Sequence, residues 1–269
     1  APFAPAWLAS PAADAAAALA QKVDAALPAE ALPPSENWLF AFAAGASAAV
    51  VDRRPDTLGD EAPLLEVLDT TKALEDLGRA ARERTAAKII AVTGSVGKTG
   101  TKEALRFVLE DQAPSVASRG SFNNHWGVPL SLSRMAADST FGVFEIGMNH
   151  PGEIAPLSRM VRPDVTVITN VEAVHSANFE SIEAIAAAKA EIFQGLAADG
   201  AAVLNRDSTL YDHLHAAAIA SNVKTVISFG GHPEARVRVT QVSLDGEGSI
   251  IGALVDGEEI TYRIGLPGR

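Results

Sequence analysis

The chain has 269 residues, 48% of them hydrophobic, enough for a sizeable core in one large domain or two smaller ones. Its 22 basic and 33 acidic side chains leave a formal net charge of −11, which would repel a nucleic-acid backbone. The absence of cysteine excludes disulfides and thiolate metal sites, and no breaker-free apolar run reaches the roughly 18 residues a transmembrane helix needs.

The chain opens on Ala1 rather than methionine, from which processing or truncation is expected. Residues 1–34 are rich in alanine and proline and are expected to form a partly helical, weakly ordered lead-in. Nothing basic precedes Lys22, so the n-region of a signal peptide is missing; the cytoplasm is expected, with secretion the lesser alternative. Residues 35–85 read as a small partial α/β unit. Within it NWLFAFAAGASAAVVDR predicts a helix, a break at Gly45 and a short strand, and LLEVLDTTKALEDLGRAARERT predicts a strand running into an amphipathic helix.

From residue 86 to 269 the pattern becomes strand–loop–helix. KIIAVT is an apolar run rich in β-branched residues, and TKEALRFVLED follows as a helix. FGVFEIG, DVTVITN, AAVLNRD and KTVISFG are four further buried-strand candidates, with helical stretches such as SIEAIAAAKAEIFQGL between most of them. The alternation predicts an α/β fold with a doubly wound, mostly parallel sheet. The end of the chain is a β-rich extension: VRVTQVSLD and SIIGALVDGEEITYRIGL alternate openly, and Asp256-Gly257 marks a hairpin turn.

The candidate chemistry begins at AVTGSVGKTGTKE, residues 91–103. A strict G-x-x-x-x-G-K-[ST] loop would need glycine where Val92 stands. The context is nevertheless right for a phosphate-binding loop, with a strand before it and a helix after it. Glycines let backbone N–H groups approach phosphate oxygens, and a helix N-terminus adds partial positive charge. Lys98 would reach the β- and γ-phosphates and the Thr99 hydroxyl would ligate Mg²⁺. The alternative is a glycine-rich turn capped by threonine.

Glu145 ends the strand FGVFEIG, at the sheet edge where ligands bind in open α/β folds. It is read as a Mg²⁺ ligand, or else as a carboxylate turned to solvent. His175, in TNVEAVH, reads alone as a hydrogen-bonded loop histidine, because Mg²⁺ prefers oxygen. Lys189 falls on the apolar stripe of Ile182, Ile185, Ile192, Phe193 and Leu196. It must snorkel, pair, or lose its charge; the last would make it a functional amine with a lowered pKa. In SRGSFNNHWGVPLSL the polar Asn123, Asn124 and His125 suit recognition of a planar partner, or cap a helix, ahead of a Gly-Val-Pro turn. In GMNHPGEIAPLSRM, Pro151 lies near a helix start with Glu153 in its first turn.

Together these stretches resemble the Mur ligase family, whose loop is T-G-[ST]-x-G-K-T rather than the strict pattern. FNNHWGVPLSL, FEIGMNHPGEI, RPDVTVITNV, AKAEIFQGL and AAVLNRD are similar to family segments in the family's order, over about residues 40–269. The resemblance implies that Gly94, Ser95, Val96, Gly97, Lys98, Thr99 and Gly100 wrap the phosphates of ATP. It implies that Thr99 and Glu145 serve one Mg²⁺ and His175 a second metal ion. Lys189 matches the family lysine that is carbamylated, and Asn205 the adenine-contacting asparagine. Asn123, Asn124 and His125 match the region facing the UDP-linked substrate. The implied reaction is ATP-dependent joining of D-alanyl-D-alanine to UDP-MurNAc-tripeptide through an acyl phosphate, in peptidoglycan precursor synthesis. The alternatives are another Mur-type ligase, such as a folylpolyglutamate synthetase or a diaminopimelate-adding enzyme, and a non-catalytic ATP-binding remnant. A monomer with small-molecule partners is expected. The family's N-terminal UDP-binding domain is represented only by its end, and its third domain is expected to begin near Leu266-Pro267-Gly268-Arg269, so the chain is expected to be a fragment.

Overall fold

The computed structural model describes residues 42, 45–55, 62–173, 178–244 and 248–265. The lead-in expected over residues 1–34, most of the helix expected before Gly45, His175 and the closing Leu-Pro-Gly-Arg lie outside the described residues. Gly45 does turn the chain, its N–H donating to the carbonyl of Phe42 at 2.9 Å.

Two short strands, β1 (Ala49–Val51) and β2 (Leu64–Glu66), pair in parallel. Helix α1 (Thr70–Glu83) follows, its N-terminus capped by the Asp69 side chain, which accepts from the Lys72 N–H. This helix lies against the following fold. A Cβ on Gly78 would stand 3.0 Å from the Pro129 backbone, and Arg82 donates to the carbonyls of Val161 and Arg162 at 2.8 and 3.0 Å.

The remaining elements are β3 (Lys88–Thr93), α2 (Lys98–Glu110), β4 (Ser115–Ala117), α3 (Gly127–Ser133), β5 (Phe141–Glu145), α4 (Ile154–Val161), β6 (Val165–Ile168), α5 (Ile182–Ala190), β7 (Ala201–Asn205), α6 (Tyr211–Ala220), β8 (Thr225–Gly230), β9 (Val237–Leu244), β10 (Ser249–Val255) and β11 (Glu258–Ile264). They build a nine-stranded sheet in the order β11-β10-β9-β8-β7-β6-β3-β5-β4. Strands β4 to β9 pair in parallel, and β9, β10 and β11 close antiparallel as two hairpins, the last turning at Asp256-Gly257 as its sequence predicts.

Strand β3 shows why the sheet is buried on both faces. Ile89 and Ala91 point into the large cluster formed with Leu132, Phe144, Ile154, Ile185 and Leu214, which α3 to α6 supply with β5. Ile90 and Val92 point the other way, against Leu105 and Leu109 of α2. The chain leaves β3 toward β4 on one side and returns to β6 on the other. The carboxyl end of β3 is therefore a topological switch point, the place where such sheets bind ligands.

Three details differ from expectation. The Gly-Val-Pro segment is the first turn of α3, because Pro129 fits that turn and the Asn124 side chain accepts from the N–H groups of Trp126 and Gly127. Glu153 is the residue just before α4 rather than in its first turn, and its carboxylate accepts from the backbone of Asn149 and His150. The helix carrying Lys189 changes at Glu191 into a 3₁₀ stretch ending at Gly195. Among the described residues no helix is long and apolar enough to cross a membrane.

Candidate functional site

The loop from Gly94 to Gly97 sits at the switch point, between β3 and α2. Gly94 has φ of +150°, and a Cβ there would stand 2.0 Å from Thr169 Oγ1, so both the backbone angle and the close approach require glycine. The loop is braced from the segment after β6. The Ser95 N–H donates to the Asn170 carbonyl at 2.9 Å, the Ser95 hydroxyl bridges to Glu172, and Thr169 Oγ1 donates to the Val96 carbonyl at 2.6 Å. Ser95 thus spends its N–H on the brace. The donors left for an anion come from the first turn of α2, whose N–H groups have no intrahelical acceptor and no side-chain cap. Gly94→Ala is expected to destabilise the fold by about 2 kcal/mol, since strain and collision coincide, and to be partly relieved by Thr169→Ala; denaturant unfolding of both variants reads this directly.

Lys98 curls back over the loop, its Nζ donating to the carbonyls of Gly94 at 2.8 Å and Ser95 at 3.4 Å. Burial lowers its pKa, opposed by the charge of Glu145. Glu145 is 1% exposed. One of its oxygens accepts from the Thr99 hydroxyl at 2.8 Å and the other from Asn123 Nδ2 at 2.7 Å. Among the described residues it has no ion-pair partner, and a buried carboxylate without one is costly. The donors Thr99 Oγ1 and Glu145 are hard oxygens side by side, which suits Mg²⁺. Among the described residues no group of three or more His, Asp or Glu side chains is gathered as a metal site.

Lys189 is 3% exposed and has no hydrogen-bond or ion-pair partner among the described residues. Burial, and to a smaller extent the positive charge of Lys98, together lower its pKa to about 8. Lys189 is thus buried, as its place on the apolar stripe of α5 implies. Next to it, Glu191 accepts from the N–H groups of Gly152 at 2.7 Å and Ala155 at 3.1 Å, tying the start of α4 to the end of α5.

The other candidates are placed as follows. Asn123 is in the site, on Glu145. Asn124 caps α3, and His125 is exposed and packs against Trp126 with ring centroids 4.8 Å apart. Asn205 ends β7; its carboxamide donates to the Thr169 carbonyl at 3.2 Å and accepts from the Asp207 N–H at 2.9 Å, which joins its turn to the phosphate loop's brace. Beside it Arg206 lies over the Tyr211 ring at 4.3 Å. Two residues here escape the sequence reading, Lys102 and Glu191. Lys102 is fully buried on α2, and its spacing to Leu105 and Leu109 on the apolar face is the signal that marks it.

The description "Mur ligase middle domain" matches residues 92–269. The UDP-N-acetylmuramoyl-tripeptide–D-alanyl-D-alanine ligase of Rickettsia prowazekii is 36% identical over 203 residues, covering 76% of this chain and 45% of that protein. Its counterpart in Escherichia coli is 38% identical over 168 residues, covering 62% of this chain and 36% of that protein. The crystal structure of MurF from Acinetobacter baumannii superposes with a TM-score of 0.77 at 32% identity, covering 90% of this chain and 52% of that one. The chain thus spans about half the length, or less, of the relatives it matches.

Proposed function

The chain belongs to the Mur ligase family, and on that premise we propose that it supplies the nucleotide-binding centre of an ATP-dependent ligase joining D-alanyl-D-alanine to UDP-MurNAc-tripeptide. We place it in the cytoplasm, working as a monomer on small-molecule substrates in peptidoglycan precursor synthesis. The observation that carries the chemistry is the contact between Thr99 and a buried Glu145 at the mouth of a lysine-bearing phosphate loop. The substrates rest on the printed names of the relatives and on the likeness of the FNNHWGVPLSL and FEIGMNHPGEI segments to theirs.

In this reading the terminal carboxylate of the tripeptide attacks the γ-phosphorus of ATP, and ADP leaves. The amine of D-alanyl-D-alanine then attacks the acyl phosphate carbon; phosphate departs and the amine loses a proton. No side chain acts as nucleophile. The first turn of α2 binds the phosphates through its N–H groups, and Lys98 swings from the Gly94 carbonyl to neutralise charge on the transferring group. Thr99 and Glu145 would hold Mg²⁺, which when bound offsets phosphate charge. Lys189, once carbamylated, would offer an anionic oxygen donor to a second ion together with His175. Asn205 lies where adenine contact is proposed, and Asn123, Asn124 and His125 on the loop proposed to face the UDP-linked substrate.

The test is a ligation assay with the ligase that carries this chain. Phosphate release should require Mg·ATP, UDP-MurNAc-tripeptide and D-alanyl-D-alanine together. Incorporation of a single amino acid in place of the dipeptide would move the assignment to another Mur-type ligase, and nucleotide binding without phosphate release would reduce it to a binding remnant.

A further inference from the structure

We propose that Lys102 is a positioning residue that clamps the loop after β4 to the phosphate-loop helix and so holds Glu145 in register with the nucleotide's metal. The inference rests on the reading of Thr99 and Glu145 as the metal-bearing pair.

Lys102 stands one turn beyond Lys98 and Thr99 on α2 and is 0% exposed. An ammonium group has three N–H donors, and here each has an acceptor: the Ser118 carbonyl at 2.7 Å, the Gly120 carbonyl at 2.7 Å and the Glu103 carboxylate at 2.8 Å. Two of these acceptors are backbone, so the lysine fixes the path of the chain rather than one side chain. The same segment then reaches Glu145 twice. The Ser118 hydroxyl accepts from the Glu145 N–H at 3.1 Å, and Asn123 Nδ2 donates to its carboxylate at 2.7 Å. The Asn123 carbonyl also accepts from the Gly147 N–H at 2.8 Å, an approach possible because a Cβ on Gly147 would stand 2.7 Å from the Asn123 carboxamide.

The contacts close a ring. Thr99 binds Glu145, Glu145 binds Asn123 and Ser118, and that loop binds Lys102, on the same helix as Thr99. Both ends of the ring are three residues apart on a rigid element. A buried ammonium is a poor choice for stability alone, because an apolar side chain of similar volume is often as good or better. Its geometric role is specific: it couples the helix that receives the phosphates to the loop that carries Asn123, and hence to the position of the carboxylate between them.

The experiment compares the unsubstituted chain with Lys102→Met, Asn123→Ala and the double variant, titrated with ADP in Mg²⁺ and in excess EDTA. Lys102→Met should lose the Mg²⁺-dependent gain in nucleotide affinity, by about tenfold or more, while metal-free affinity falls far less. Asn123→Ala should show the same pattern, and the double variant should be no worse than the larger single change, since both break one ring. Amide hydrogen exchange over residues 118–124 should rise in Lys102→Met. Equal losses with and without Mg²⁺, or none in either, would overturn the clamp. If Lys102→Met does not fold, Asn123→Ala decides: an unchanged Mg²⁺ gain refutes it. If the unsubstituted chain binds no nucleotide, the ligase reading fails instead, and the exchange rates alone then decide whether Lys102 holds the loop.

Discussion

Lys98→Ala is expected to weaken Mg·ATP binding at least about a hundredfold while the fold survives. Charge-assisted hydrogen bonds contribute about 1.5–3 kcal/mol each, and the lysine is placed to make two with the β- and γ-phosphates. Among the described residues it holds the Gly94 and Ser95 carbonyls, on a partly exposed loop, so its loss should lower stability by about 1 kcal/mol. A thermal-shift titration separates the two effects. The unsubstituted chain should gain melting temperature with Mg·ATP, and the variant should melt nearly as well without nucleotide but gain nothing from it. A variant that still responds to Mg·ATP like the parent would sink the phosphate-loop assignment.

The second large effect lies at Lys189. Its pKa near 8 means that about one amine in ten is neutral at pH 7, and about ten neutral for each charged at pH 9. Only the neutral amine forms an N–C bond to CO₂, releasing a proton and leaving a carbamate. Labelled bicarbonate should therefore give a carbamate carbon signal that Lys189→Met lacks, and its equilibrium amount at fixed total bicarbonate should rise between pH 7 and pH 9, following the neutral-amine fraction. The stability consequence has a definite sign. The folded pKa of about 8 lies below the ordinary 10.5, so below pH 8 the fold carries the full penalty of a buried ammonium. That penalty is relieved as pH rises from about 8 to 10.5. Its ceiling is on the order of 3 kcal/mol, so in CO₂-free buffer at pH 7 Lys189→Met should melt several degrees above the parent. In a complete ligase the same change should cost most of the turnover. Full activity together with an absent carbamate signal in the parent would remove Lys189 from the site.

Much of the site was legible because its residues obey period and context. KIIAVT alternates between two buried faces, which announces a central parallel strand, and T-G-S-V-G-K-T follows it at the only place where such a sheet opens. Lys189 was legible for the same reason: a cation on an apolar stripe must be explained. Lys102 bears the same mark against Leu105 and Leu109, but α2 is otherwise rich in charge, and Lys102 reads locally as a partner for its neighbour Glu103. Only the fold brings the Ser118 and Gly120 carbonyls to it. The short β4 and the proline-bearing first turn of α3 were lost because a three-residue strand has no period to read and Gly-Val-Pro fits a turn as well as a helix start. The bracing of Ser95 by Asn170 and Glu172 is likewise a pairing of distant loops that local spacing cannot carry.

Calorimetric titration of ATP into the chain, with and without Mg²⁺, asks whether Thr99 and Glu145 complete the phosphate loop as an Mg·ATP site. Mg²⁺ should strengthen binding at least about tenfold in the parent and much less in Glu145→Gln, which keeps a hydrogen-bond acceptor for Thr99 but loses the charge. Equal Mg²⁺ dependence in parent and Glu145→Gln would contradict that assignment.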